Sequence, residues 1–92
     1  MINVNFFGTL RVFLKTKQVR ISTKELNVFE LLQQCERQVS KPFLHKLMDE
    51  EGNIRPGTMI LVNGQNVLHL QGMRTIVRNG ADIALFPPGG GG

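Results

Sequence analysis

The chain has 92 residues, 41% of them apolar, and a net charge of +4, which is one domain's worth of sequence with room for one modest core. No run approaches the ~20 apolar residues of a membrane span. The opening Met1–Asn5 lacks the basic and apolar blocks of a secretory signal. The single cysteine, Cys35, makes no internal disulfide, so a soluble, cytoplasmic protein away from any membrane is expected.

Residues 2–7 alternate, with Ile2, Val4 and Phe6 on one side and Asn3 and Asn5 on the other, the period of a half-buried strand. Gly8-Thr9 interrupts it. Residues 18–22 repeat the pattern, with Val19 and Ile21 inward, so a hairpin with a long connection is expected. Leu10, Val12, Phe13 and Leu14 in that connection are expected to pack back on the core. Arg11, Lys15, Lys17, Arg20 and Lys24 fall in residues 1–24 with no acid among them, while the rest of the chain is nearly neutral. One basic surface follows, either a solvated face or a docking face for an acidic partner.

Asn27 and Glu30 have the spacing of a capping box. Val28, Leu31, Leu32, Cys35 and Val39 then form one apolar helical stripe. Cys35 lies in that stripe and reads as a small buried hydrophobe rather than a reactive thiol. Pro42 ends this helix, and Phe43, Leu44, Leu47 and Met48 suggest a further short one. Polar turns follow at Asp49–Asn53 and Pro56-Gly57. Residues 58–63 read as a strand buried on both faces, and Asn63-Gly64 as a tight turn. Val67, Leu68, Leu70, Met73 and Ile76 anchor a mixed stretch, Asn79-Gly80 turns again, and Ile83–Phe86 is a last short strand. The expected class is α+β, a mixed sheet of four to five strands packed on one main helix. Its domain is expected to span residues 1–86, with 87–92 as a flexible tail.

That tail is Pro87-Pro88 followed by Gly89, Gly90, Gly91 and Gly92. Glycine buries no side chain and loses the most backbone entropy on ordering, so a glycine run is there for access rather than stability. From Pro87 to Gly92 the reach is at most about 20 Å. A tail without side chains threads a narrow tunnel and delivers one chemical group, a carboxylate. That group needs activation, as an acyl-adenylate, before a sulfur nucleophile can convert it to a thiocarboxylate.

Ile2–Arg11, Val28–Leu32, Leu61–Gly64 and Asn79–Pro88 with a terminal Gly-Gly together resemble the small subunit of molybdopterin synthase. The wider group is the sulfur-carrier (MoaD/ThiS-like) branch of the ubiquitin-like β-grasp fold. The resemblance implies a non-catalytic carrier with no bound cofactor. An adenylyltransferase of the ubiquitin-activating type adenylates Gly92 with ATP, and a sulfurtransferase supplies sulfur to make the thiocarboxylate. The tail then enters a large synthase subunit that builds the dithiolene of a molybdenum or tungsten cofactor. Gly91 and Gly92 match the family's terminal pair. Phe7, Arg11 and Phe86 lie in matching segments and, with Pro87, Pro88, Gly89 and Gly90, are expected at partner surfaces. Three features depart from the family pattern: the Gly89-Gly90 pair, Ala81 before Asp82, and Val12 after Leu10-Arg11. Carriers serving thiamin, a cysteine or homocysteine route, or tRNA thiolation share the fold and the tail. The length and the Phe86-Pro87-Pro88 lead favour the molybdopterin branch.

Other classes fit less well. His45, His69 and Cys35 are far apart in sequence and have no metal-ligand spacing. A protein modifier joined to lysines through Gly92 stays an open alternative, because it begins with the same adenylation and the sequence does not separate the two. A nucleic-acid module is not expected, because Trp and Tyr are absent and nothing offers a stacking platform among the basic residues.

Overall fold

The structure is a computed structural model describing residues 1–89. Strand β1 (Ile2–Phe6) leads through helix α1 (Gly8–Leu14) to strand β2 (Gln18–Ile21). Strand β3 (Glu25–Asn27) runs straight into helix α2 (Val28–Gln38), and a single turn, α3 (Leu44–Leu47), follows. Strands β4 (Met59–Val62) and β5 (Gln65–Asn66) come next, then two 3-10 turns at Val67–His69 and Gly72–Arg74. Strands β6 (Ile76–Arg78) and β7 (Asp82–Phe86) complete the described chain.

Five strands form one mixed sheet in the order β2-β1-β7-β4-β5, and β3 and β6 form a separate two-stranded ribbon. Strands β1 and β7 run parallel, with Phe6 beside Leu85, while β2 and β4 are antiparallel to their neighbours. Ile2, Val4, Phe6, Ile60, Val62, Ile83 and Leu85 all point to one side and are buried. Helix α2 supplies Val28, Leu31, Leu32 and Cys35 to the same core. The Phe6 and Phe43 rings meet edge to face with centroids 5.5 Å apart.

The helix begins where the sequence places it. Asn27 Oδ1 accepts the Glu30 N–H at 2.8 Å, and Glu30 Oε1 accepts the Asn27 N–H at 3.0 Å. Such a cap contributes about 1 kcal/mol. Glu36 Oε2 accepts the N–H groups of both Phe43 and Leu44, which satisfies the start of α3.

Three expectations need correction. The connection after β1 is a helix. Its Leu10 and Leu14, one turn apart, are buried, whereas Val12 is 75% exposed and does not pack on the core. A stripe this short has no periodicity to read. The β3–β6 ribbon was not expected, because each strand buries one residue, Leu26 or Val77, too few for an alternation signal. Strand β4 is buried on one face only, since Met59 is 42% exposed and Leu61 half-buried. Four apolar residues in a row do not say which pair faces solvent. Among the described residues, no helix is long and apolar enough to cross a membrane.

Candidate functional site

The last strand carries the tail, so the site begins at its end. The Phe7 N–H donates to the Leu85 carbonyl at 3.0 Å, extending the parallel β1–β7 ladder by one bond. Phe7 and Phe86 both leave the ladder on the side opposite the core. Their rings stack with centroids 4.6 Å apart and planes 8° from parallel. Arg11 lies four residues after Phe7, on α1, and its guanidinium carbon sits 5.4 Å from the Phe7 centroid. Arg11 Nε also donates to the Phe6 carbonyl at 3.0 Å, which holds the guanidinium over the ring. The fold thus brings Arg11, Phe7 and Phe86 together as one stack, worth about 1–2 kcal/mol from its ring–ring and cation–ring contacts.

Two glycines border the exit. Gly8 has φ +57° and faces Pro87, whose Cδ would lie 3.9 Å from a Cβ at that position. Gly57 has φ +88°, and a Cβ there would sit 3.6 Å from Pro88 Cα and 3.7 Å from the Gly89 nitrogen. Left-handed backbone at both positions favours glycine. Pro87 and Pro88 are half-buried between these flanks, and Gly89 is exposed. Gly90, Gly91 and Gly92 lie outside the described residues, so the expectations for them are not placed by the geometry.

The apolar surface continues beyond the residues singled out from the sequence. Met59 sits directly opposite Phe86, and Leu61 opposite Ala84, in the antiparallel β4–β7 register. Met59, Leu61, His69 and Leu70 line a shallow hollow of about 430 Å³ beside them. Sequence reasoning missed Met59, Leu61 and Leu70. The signal that finds Met59 and Leu61 is register, because both share a face with Phe86; Leu70, which follows a 3-10 turn, joins them only in the hollow. The other half of this face, over β1 and β2, is polar: Asn3 Nδ2 donates to Asp82 and Gln18 Nε2 to Asn5.

Elsewhere the chemistry is quiet. Cys35 is fully buried on α2, and burial pushes its thiol up to about 12. It is a protonated core residue at neutral pH. Among the described residues, no three His, Cys, Asp or Glu side chains are grouped to hold a metal ion. A groove of about 700 Å³ between Phe29, Leu44, Met48 and Met73 contains none of the exit residues.

A mixed sheet gripping one helix, with its C-terminal strand leading into a glycine tail, defines a ubiquitin-like β-grasp protein of the carrier and modifier class. The ThiS family pattern matches residues 4–92, and the chain belongs to the ThiS family. It is 30% identical to small archaeal modifier protein 3 of Haloferax volcanii, over 99% of this chain and 98% of that one. It is 31% identical to a protein of Archaeoglobus fulgidus named "Putative sulfur carrier protein", over 80% of this chain and 83% of that one. The solution structure of small archaeal modifier protein 1 from Methanosarcina acetivorans superposes with a TM-score of 0.77 at 26% identity, covering 99% of this chain and 95% of that one.

Proposed function

We propose that this protein is a sulfur carrier whose reacting group is the Gly92 carboxylate, and that it serves as the small subunit of a molybdopterin synthase. The observation that carries the carrier reading is the ThiS family match, which runs through Gly92; the synthase assignment rests on the resemblance of Ile2–Arg11 and Asn79–Pro88 alone. The geometry supports it by supplying a docking face at the exit. Phe7, Arg11, Phe86 and the Pro87–Gly90 lead are the proposed partner contacts, and Met59 and Leu61 extend them.

In the proposed cycle, the Gly92 carboxylate attacks the α-phosphate of ATP in an adenylyltransferase of the ubiquitin-activating type, and pyrophosphate leaves. A sulfurtransferase persulfide then adds through its outer sulfur to the acyl carbon, and AMP leaves. A second thiol cleaves the resulting acyl disulfide, ending as a disulfide itself and releasing the carbonyl-bound sulfur. The product is a thiocarboxylate at Gly92. In this reading the protein contributes the reacting carboxylate and the surface that seats it, and its partners supply the catalytic groups. The large synthase subunit takes the loaded tail and passes the sulfur to a pterin precursor.

A second reading is favoured by the 30% identity to a small archaeal modifier protein. In it, the same adenylate is joined to a lysine amine of a target protein.

The deciding experiment is intact mass spectrometry of the protein incubated with its activating enzyme, ATP and a sulfur source. The expected mass gain equals replacement of one oxygen by sulfur and maps to Gly92. No gain from an enzyme active on another carrier would overturn the carrier reading. Lysine-linked adducts in extract, without sulfur gain, would move it to the modifier reading. Conversion of the pterin precursor by the loaded protein with a large subunit tests the acceptor separately.

A further inference from the structure

The main sheet ends on one side at β2, which pairs with β1 alone. The Phe6 N–H donates to the Lys17 carbonyl at 2.9 Å. Bonded pairs alternate along an antiparallel ladder, and Val4 faces Val19 while Ile2 faces Ile21. Lys17, Val19 and Ile21 therefore turn their backbone groups toward β1. The N–H and C=O groups of Gln18 and Arg20 point off the edge, and both residues are exposed. Among the described residues, no turn, loop or side chain bonds to these backbone groups. An edge of this kind is a template for one more strand.

Charge selects the occupant. Lys15, Lys17, Arg20 and Lys24 fall on or beside β2, and residues 1–24 contain no acid. The positive field extends further. Lys41 Nζ and Lys46 Nζ lie 4.7 and 4.2 Å from the ring centroid of Phe13, two residues before Lys15. Glu36, on the helix preceding Lys41, is taken up by the N–H groups of Phe43 and Leu44. Glu25, the acid that follows Lys24, lies on the separate β3–β6 ribbon and is engaged by Arg78 in a salt bridge. Val19 faces the core side of β2 yet is only half-buried, which leaves apolar surface for one side chain of an added strand. A second copy of the chain is a poor occupant, because two such edges would set Lys17 and Arg20 against their own copies.

We propose that the free edge of β2 binds an extended, acidic, alternately apolar segment of a partner protein by strand addition. Backbone bonds to Gln18 and Arg20 supply the pairing, Val19 takes an apolar side chain, and the surrounding lysines and Arg20 select carboxylates. Addition occurs in the plane of the sheet, so the segment leaves the Phe7–Phe86 stack uncovered. Strand β2 begins at the end of the sheet where β7 releases the tail, two strands and about 10 Å across. A partner can therefore hold the carrier here while the exit face is engaged. The proposal is independent of the chemistry at Gly92.

The test is titration of the isotope-labelled full chain with a short, end-capped peptide alternating Glu and Val, followed by amide exchange. Slowed exchange at the Gln18 and Arg20 amides, with affinity falling as salt rises, is expected. The Lys17→Glu/Arg20→Glu double variant should bind about tenfold more weakly or worse, with an unchanged melting temperature. A peptide alternating Lys and Val that bound equally well would overturn the proposal. So would shifts mapping to Met59 and Phe86 instead of β2, absence of saturable binding at millimolar peptide, or a single-stranded oligonucleotide outcompeting the peptide at this edge.

Discussion

The two faces of the five-stranded sheet are made by the same strands and differ sharply in what they bury. Phe6 and Phe7 are neighbours, yet Phe6 is fully buried against Phe43 while Phe7 stacks, half-buried, on Phe86 outside the core. Leu85 and Phe86 repeat the split one strand over. Alternation sends every second side chain to the core and hands the next to the surface. Stability is therefore concentrated on one face and the proposed recognition surface lies on the other, so a substitution can address either one separately.

The largest separation should come from the tail. The described core cluster lies between Ile2 and Leu85. Deleting Gly91 and Gly92 should leave the thermal melt unchanged and abolish sulfur loading in the mass assay. A truncated protein that still loads would end the Gly92 reading. The opposite separation should come from Phe6→Ala. Emptying this buried site should cost about 3–5 kcal/mol, a large part of a small domain's ~5–15 kcal/mol. Its melting temperature should fall by about 15 °C or more.

Phe86→Ala lies between these. Phe86 is half-buried and its identified aromatic partner is Phe7, so its loss should cost about 1 kcal/mol, chiefly the stack. Binding to the activating enzyme should weaken by about tenfold or more, the scale of an interface anchor. Denaturant melts and a binding titration on one preparation would show it. A loss of 3 kcal/mol or more with intact binding would make Phe86 a core residue and erase the division of faces at this strand.

Much of this was legible in the sequence because local rules carried it. Asn27 and Glu30 marked the start of α2, and the alternation at Ile2–Phe6 marked β1. The glycine tail pointed to the carrier and modifier class, and resemblance grouped Phe7, Arg11 and Phe86 as partner-surface candidates, which the structure brings together. Long-range pairing was not legible. That Met59 faces Phe86 is a matter of register between segments more than twenty residues apart. That Gly57 borders Pro88 is likewise tertiary, and locally Pro56-Gly57 is only a turn. Met59-Ile60-Leu61-Val62 lacks the polar residues that would have revealed its open face. The seven residues of α1 make barely two turns, so its buried pair, Leu10 and Leu14, leaves no repeat.

Asn27→Ala tests a contribution that belongs to neither face. It removes the acceptor of the Glu30 N–H at the start of α2 and should cost about 1 kcal/mol, or roughly 4–8 °C of melting temperature. Restoring a hydroxyl acceptor with Asn27→Ser should recover most of that. If alanine were neutral, packing of Val28 and Leu31 alone would set the helix start.

The smallest effect is silent at neutral pH. Burial holds the Cys35 thiol up at about 12 in the folded protein, against an ordinary value near 9.0. Both states are protonated below that ordinary value, so the preference for the thiol is fully satisfied there and stability does not depend on it. As pH rises past 9, the unfolded chain releases this proton and the folded one keeps it. The unfolded state then binds fewer protons, and stability falls with pH through the window up to about 12. Comparing melts of the natural protein and Cys35→Ala across that window isolates the effect. The natural protein should lose stability more steeply, and its thiol should resist alkylation at pH 8 until denaturant is added. Rapid alkylation of the folded protein would mean that α2 opens locally, and Cys35 would then no longer belong to the closed face of the comparison.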